Sequence, residues 1–274
     1  MASTPLPEFA RPPVVEVALS IMFESLPRFR SAHTGLFWRR VRDRFPNAED
    51  HPVLDAPIEQ PSGPTPPVIT PTLQLVSAVP VRAWFTSTSG TELIQLQHDR
   101  FAHNWRTGET RESYPRYGTI RDAFVDEYKQ FSQFVHEESL GSLTARQCEV
   151  TYVNHIRDPL GCRHSHIEQV IRSWRPTNNG SFLPRIEDAK INTRYVIKDS
   201  SGGFCGRLLA TLQPAYLRET SEEILVFTLV ARGRPLSEQL DGALQFLDLG
   251  HEWIVRAFTE LTTPEMHDTW GRIR

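Results

Sequence analysis

The stretch that decides the fold is residues 235–261, PLSEQLDGALQFLDLGHEWIVRAFTEL. Its apolar residues recur every three or four positions, which is the spacing of one face of an α-helix. This face comprises Leu236, Leu240, Leu244, Leu247, His251, Ile254, Phe258 and Leu261, and it is widened by Phe246, Leu249, Trp253 and Ala257. Charged residues such as Asp248 and Glu252 fall on the other side. A helix of this length would measure roughly 39 Å, so we expect it to cross a sheet and to anchor the hydrophobic core.

Alternating apolar and polar residues elsewhere in the chain predict β-strands, and spacing by three or four residues predicts further helices. The predicted strands lie at 14–23, 73–76, 81–86, 92–98, 101–106, 145–156, 186–198, 203–213 and 223–231. The other predicted helices lie within 26–45 and at 117–138, 164–174 and 264–271. Prolines recur through residues 47–71, and that density predicts a long irregular loop.

The two halves of the chain repeat one order of elements: a strand, a short helix, three or four strands and a long helix. We therefore predict an α+β fold. In this fold antiparallel sheets are covered on one face by long helices, and two β-α-β-β-β-α halves form a pseudo-duplication. Residues 1–13 are a flexible proline-rich lead-in, 14–141 the first half and 142–274 the second, and the halves pack as one unit. Only the order of elements indicates the duplication, since no residues match between the halves.

The composition is ordinary for a soluble protein, with 39% hydrophobic and 23% charged residues among 274 and a net charge of −3. That charge argues against electrostatic binding of nucleic acid or anionic membrane over the whole surface. No apolar run reaches the roughly 18 residues of a membrane span, and residues 1–13 lack the apolar core of a secretory signal. Three cysteines form no paired framework, so we predict a cytoplasmic protein that does not bind membranes.

Both ends of the sequence resemble a known family. The opening stretch is RPPVVEVAL at residues 11–19, and the closing stretch contains LDLGH at 247–251, Phe258, Leu261-Thr262, Glu265 and Trp270-Gly271. These stretches look like the opening strand and the closing helix of a sporadically distributed prokaryotic family of roughly this length. The family is functionally uncharacterised and has no established catalytic residues. The resemblance therefore implies a single full-length unit and supplies no activity.

Three residues are candidate metal ligands: Cys162, His164 and His166. Zinc is bound by four such ligands in a tetrahedral array, but the spacing Cys-x-His-x-His matches no common structural zinc motif. The residues also fall where we predict a turn and the start of a helix. Surface histidines and a buried cysteine are therefore the alternative, and we predict no metal.

No familiar catalytic motif is present. The sequence has no nucleophile elbow, no metalloprotease helix motif and no phosphate-binding glycine loop of the usual forms. We accordingly predict no cofactor and favour a function other than catalysis, with an enzyme whose site has no recognisable motif as the second alternative. His251 interrupts the apolar stripe, and buried polar groups are normally hydrogen-bonded. We therefore expect His251 to meet a polar group on the sheet beneath the helix.

The first helix is rich in arginine, which suggests a nucleic-acid interface. Its candidate residues are Arg39, Arg40, Arg42 and Arg44 with Trp38 interleaved, and Arg28 and Arg30 precede them. Arginine contacts to phosphate and stacking of bases on an aromatic ring would suit the binding of a single-stranded nucleic acid. Nearby acidic residues dilute the patch, so an exposed, solvated arginine face is the other interpretation.

Aromatic residues at strand ends and in loops suggest a partner surface, because aromatic and arginine side chains dominate interface hot spots. The candidates are Trp84, Trp105, Tyr114 and Tyr117. The sequence therefore favours a non-catalytic binding or regulatory module that recognises a protein partner or a second copy of itself. A nucleic-acid-binding protein that uses the arginine-rich helix is the first alternative.

Overall fold

The computed structural model of the chain describes residues 5–54, 58–63, 81–108, 113–157, 164–175 and 182–274. The strands are β1 Val14–Phe23, β2 Asn47–Pro52, β3 Val81–Thr86, β4 Glu92–Gln97, β5 Arg100–Arg106, β6 Ala145–Ile156, β7 Ile191–Lys198, β8 Phe204–Tyr216 and β9 Glu223–Gly233. The helices are α1 Ser31–Val41, α2 Tyr117–Glu137, α3 Ile167–Val170, α4 Leu240–Leu261 and α5 Pro264–Thr269. Alternation in the sequence therefore located most strands correctly, while the strand predicted at 73–76 lies outside the described residues.

The strands form one antiparallel, nine-stranded sheet in the order β2-β3-β4-β5-β1-β6-β9-β8-β7. β1 lies in the middle, with β5 hydrogen-bonded to one side and β6 to the other. The pairing of β1 with β6 joins the first half of the chain to the second within a single layer.

The predicted fold class, in which long helices cover one face of antiparallel sheets built from two duplicated halves, is wrong. The structure has one continuous sheet, and nine strands about 4.8 Å apart span roughly 38 Å. A helix is only about 10 Å across, so α2 and α4 pack mainly on β1, β5, β6 and β9 and cannot cover that width. The edge strands β2 and β7 consist largely of exposed or half-exposed residues.

Helix α4 lies where the apolar stripe predicted it, but it begins at Leu240 rather than near residue 235. The backbone before it folds back, because the Leu236 N–H donates to the Gly242 carbonyl at 3.0 Å. Gly250 makes close packing on the sheet feasible: a Cβ atom there would lie 3.1 Å from Cβ of Ala231 and 3.2 Å from Cγ2 of Val150. The missing side chain lets the helix backbone approach β6 and β9.

Helix α2 packs through phenylalanine rings on the other half of the same sheet. The ring of Phe131 stacks on Phe101 of β5 at 5.3 Å and meets Phe37 of α1 edge-on at 5.4 Å. The apolar spacing predicted a helix at 117–138, and the observed bounds confirm it. Within the part of the chain that the structure describes, no helix is long and apolar enough to cross a membrane.

Two local predictions fail where the backbone finds partners elsewhere. Residues 47–52, predicted as loop, form β2 because they pair with β3. The helix predicted at 164–174 is reduced to the four residues of α3. Ile171 beyond it is extended and bridges Thr262, and the Arg172 N–H donates to the Leu261 carbonyl at 2.9 Å.

The N-terminal segment runs beside the C-terminal one. The backbone N–H groups of Ala10 and Arg11 donate to the carbonyls of Gly271 and Trp270 at 2.9 and 3.0 Å. Phe9 is buried and meets Phe258 edge-on at 5.7 Å. Residues 5–13, predicted as a flexible lead-in, are thus attached to the end of α4 and to α5.

Replacing Gly250 by leucine should destabilise the protein, because the new side chain would collide with Ala231 and Val150 at the helix–sheet contact. Overpacking of this kind costs about 1–3 kcal/mol, measured as the free energy of unfolding in urea. The matched control is Gly35→Leu in α1, where a Cβ atom meets nothing within 4 Å. Since leucine is the better helix former by about 0.8 kcal/mol, this control should be neutral or stabilising; equal losses in both variants would contradict the packing argument.

Candidate functional site

A cavity of about 320 Å³ opens between the N-terminal segment, the start of α2, the sheet and α4. We call it the aromatic cleft. Its walls comprise Leu6, Glu8, Phe9, Val14, Tyr114, Arg116, Tyr117, Tyr152, Asn154, Leu229, His251, Ile254, Val255, Phe258 and Arg274. Ligand sites are concave, mostly apolar and about 300–1,000 Å³ in volume, and this cleft meets all three criteria.

The floor of the cleft is set by the register of four central strands. Val17 of β1 lies opposite Trp105 of β5 on one side and Tyr152 of β6 on the other. Tyr152 in turn lies opposite Leu229 of β9. Residues opposite each other point to the same face of a sheet, so these side chains form one row on the face that carries α2 and α4. Trp105, itself buried, packs its ring against Tyr114 at 5.5 Å and thereby supports the wall of the cleft.

A chain of hydrogen bonds crosses the cleft. The hydroxyl of Tyr152 lies 2.9 Å from the hydroxyl of Tyr114 and 2.9 Å from Nδ1 of His251. His251 is on α4, so this contact confirms that the histidine in the apolar stripe meets a polar group on the sheet. A tyrosine hydroxyl can donate one hydrogen bond while it accepts another, which allows Tyr152 to link both neighbours.

The ring of Tyr117 packs against the imidazole ring of His251. The two rings are stacked with centroids 3.9 Å apart and an angle of 2° between their planes. The Tyr117 hydroxyl donates to Asp248 at 2.9 Å, and Arg121 holds the same carboxylate at 2.6 and 2.9 Å. Asp248, which the helical pattern placed on the side away from the core, thus joins α4 to α2 and positions the aromatic stack.

Burial keeps the titratable groups inside the cleft uncharged. It lowers the pKa of His251 to about 4, against the opposing effect of nearby Asp248 and Glu252. Burial also raises the pKa of Tyr114 to about 12, and it raises the pKa of Tyr117 and of Tyr152 further above the ordinary tyrosine value. At neutral pH the cleft therefore presents hydrogen-bonding groups without formal charge.

Charge is confined to the mouth of the cleft. Glu8 pairs with Arg274 at 2.9 Å and approaches Arg116 only to 4.0 Å. Arg116 donates from Nη1 to the Phe9 carbonyl at 3.1 Å, and its guanidinium lies 5.9 Å from the centre of the Tyr114 ring. The side chain of Arg116 is 47% exposed, so it faces solvent at the entrance.

The backbone of Arg116 is strained, with φ +77° and ψ 156° at the N-cap of α2. This region is essentially restricted to glycine and costs about 1–3 kcal/mol for other residues. Such strain persists where surrounding contacts enforce it and is concentrated at functional sites. Here the contacts of the neighbouring Tyr114 and Tyr117 fix the chain on both sides.

Three of the four residues predicted to bind a partner come together at this site. Tyr114 and Tyr117 line the cleft, and Trp105 supports it from behind. Trp84 does not join them: its row runs through Gln95 and Ala102, on the face of the sheet opposite Trp105. It stacks there on His51 at 3.9 Å.

Helix α1 ends at Val41, so Arg42 and Arg44 of the predicted arginine face follow it, and part of the charge of this segment is used in ion pairs within the protein. Arg40 pairs with Glu137 at 2.6 Å. Arg44 pairs with Glu92 at 2.5 Å and with the buried Glu127 at 2.9 Å. The indole of Trp38 is half-buried and donates its N–H to the Phe45 carbonyl at 3.0 Å. Arg39 and Arg42 are exposed.

The predicted metal ligands are only partly within the described residues, since Cys162 lies outside them. Nε2 of His164 is 2.9 Å from the Ala215 carbonyl and 3.0 Å from that of Ile224, so this nitrogen acts as a donor rather than a ligand. Nδ1 of His166 lies 3.2 Å from the Ser165 hydroxyl. Across the described ranges, no group of three or more histidine, cysteine or acidic residues could hold a metal ion.

Several cleft residues were not singled out as site residues from the sequence: Tyr152, Asn154, Arg116, Glu8 and Phe9. Tyr152 and Asn154 belong to a strand of alternating apolar and polar residues, and that pattern predicts packing in the core without indicating a site. Only the histidine in the apolar stripe gave a signal, because it required a polar partner across the sheet.

Comparison with known proteins supplies no further assignment. The chain matches no protein-family model, no curated protein and no solved structure.

The low pKa of His251 makes stability depend on pH. The unfolded chain binds a proton near the ordinary value of 6.5, whereas the folded chain binds it only near 4. The unfolded state therefore holds more protons between these values, and stability is lost as pH falls from about 6.5 to 4. We expect this residue to contribute about 2 kcal/mol to the loss of unfolding free energy between pH 7 and pH 5.

Urea unfolding at both pH values measures this contribution. The variant His251→Gln should lose less stability on acidification than the wild type by that amount. His136→Gln, which replaces an exposed histidine on α2, should follow the wild type. An unchanged difference between pH 7 and pH 5 in His251→Gln would show that His251 is not buried in its neutral form.

Proposed function

We propose that this chain is a non-catalytic binding or regulatory module, and that the aromatic cleft binds a small molecule with an apolar, hydrogen-bonding body. The observation that carries the proposal is the uncharged interior of the cleft. Inside the charged mouth, its tyrosines, its histidine and Asn154 offer hydrogen bonds from neutral groups, and the other side chains of the wall are mostly aliphatic or phenylalanine. A preformed, half-enclosed site of this kind suits a ligand better than it suits a flat protein surface.

The same pKa values argue against acid–base catalysis. A general acid or base works best when its pKa lies near the operating pH. Here the pKa of His251 is about 4 and that of Tyr114 about 12, so neither group exchanges protons readily near neutrality. The hydrogen-bond chain through Tyr152 is therefore suited to orienting a ligand. This supports a binding function over the enzyme that the sequence left open.

A regulatory module needs a protein to act on, and the partner class we propose is a protein or a second copy of this chain in the cytoplasm. The nucleic-acid alternative gains no support, because Arg40 and Arg44 are engaged by carboxylates. We also propose that the chain is a member of the uncharacterised prokaryotic family that its two ends resemble. That membership would imply no particular activity.

Filling the cleft should abolish ligand binding. Val255 lies on α4, is half-buried and lines the cleft, so Val255→Phe should occupy space that a ligand needs. With naphthamide as a neutral apolar probe, isothermal titration calorimetry should show binding to the wild type and at least tenfold weaker binding to this variant. The expected loss follows from the exclusion of an apolar ligand surface.

The matched control is Val196→Phe, which makes the same change at a position on β7 that is 45% exposed and outside the cleft. It should bind naphthamide as the wild type does. The proposal fails if the wild type does not bind the probe, or if Val255→Phe and the wild type bind it equally.

A further inference from the structure

The mouth of the aromatic cleft carries more positive than negative side-chain charge. Among the described residues that line the cleft, the guanidinium groups of Arg116 and Arg274 face a single side-chain carboxylate, that of Glu8. Glu8 lies close to Arg274, at 2.9 Å, and at 4.0 Å from Arg116, which is the outer limit of an ion pair. The pairing is therefore unequal, and Arg116 makes the longer contact with the only side-chain carboxylate among the described residues that line the cleft.

Arg116 is equipped to bind a second carboxylate. A guanidinium has five N–H donors in a planar fork that matches a carboxylate. Within the described part of the chain, one nitrogen of Arg116 donates to the Phe9 carbonyl. The strained backbone at φ +77° places this residue at the entrance, and its side chain has no role as the helix cap.

The interior of the cleft excludes charge. A carboxylate buried among Tyr152, Ile254 and Phe258 would lose its hydration without gaining a positively charged partner, which is strongly unfavourable. Any ionised part of a ligand must therefore stay at the mouth, where Arg116 is half exposed. The apolar body of the ligand would occupy the interior.

From this charge distribution we infer that the ligand is an amphipathic carboxylate, whose apolar body fills the aromatic cleft and whose carboxylate binds Arg116. The inference rests on the proposed function and adds the chemical class of the ligand. Glu8 occupies the position that such a carboxylate would take beside Arg274, so it competes with the ligand for the positive charge at the mouth.

The test compares naphthoate with its neutral amide, naphthamide, which has the same ring system and nearly the same size. Calorimetric titration at neutral pH and low salt should show about fivefold tighter binding of naphthoate to the wild type, as expected for a charge-assisted hydrogen bond at a partly exposed site. The preference should weaken with added salt, because exposed charges are screened.

Variants of the residues at the mouth show which side chain causes the preference for naphthoate. Arg116→Gln should abolish the preference for naphthoate over naphthamide, read as the ratio of the two affinities within the variant, and Arg116→Lys should retain part of that preference. Glu8→Gln should increase the preference for naphthoate over naphthamide, again read as the ratio of the two affinities. Arg11→Gln is the control: Arg11 is exposed, donates to the Thr269 carbonyl and does not line the cleft, so it should match the wild type.

The outcomes separate the inference from the proposed function. If the wild type binds naphthamide and naphthoate with equal affinity, the carboxylate assignment is wrong while the binding function stands. If naphthoate is preferred but Arg116→Gln keeps the full preference, Arg116 is not the carboxylate site and the inference is overturned. If neither compound binds, the proposed function itself fails.

Discussion

The structure depends on the hydrogen bonding of β1 along both of its edges. This strand pairs with β5 and with β6 over most of its length, and it is the element through which the two halves of the chain become one sheet. Its register also fixes which side chains share a face, because residues opposite one another across a ladder point the same way. The row that contains Trp105, Val17 and Tyr152 exists only in this register, and a slip of β1 by one residue would turn Val17 to the other face and break the row. The aromatic cleft is thus a direct consequence of how the central strands are aligned.

The cleft shows how a site can be polar without being charged. Water would stabilise the ionised forms of tyrosine and histidine, and burial removes that stabilisation. The hydroxyl of Tyr152, within 2.9 Å of both Tyr114 and His251, compensates for the lost water with protein hydrogen bonds. Such a network costs little when each member is satisfied. It also gives the apolar cavity fixed directions in which hydrogen bonds can be made, which a purely aliphatic pocket would lack.

The sequence predicted local structure well wherever one periodic pattern dominated. The bounds of β1 and β6 and the position of α2 follow from alternation and helical spacing in the chain itself. The failures have long-range causes: residues 47–52 become a strand through pairing with β3, and the segment after Val170 bonds to the end of α4 instead of continuing α3. The number of strands in a single sheet was not predictable either, because local periodicity carries no information on which strands are neighbours.

For the site, the sequence had pointed to the aromatic residues Tyr114 and Tyr117 and, by a separate argument, to His251. His251 stood out as a polar residue on an apolar stripe, and its contact on the sheet was expected from the cost of burying an unsatisfied group. Its partner Tyr152 could not be identified, since alternating strands contain many such residues and the contact joins positions that are distant in sequence. The strain at Arg116 gave no sequence signal, because an arginine at positive φ follows from the surrounding packing rather than from its own preference.

The pairing of residues 8–11 with residues 270–273 has a consequence for how the protein is made. These contacts join the most distant parts of the described chain, and they form one wall of the cleft. During synthesis residues 8–11 leave the ribosome before α5 and the residues after it, so they can dock only once that later part of the chain has been made. Contacts of such large sequence separation are among the slowest to form. The cleft therefore cannot be complete until residues 270–274 have been made, which is after the synthesis of every described strand of the sheet.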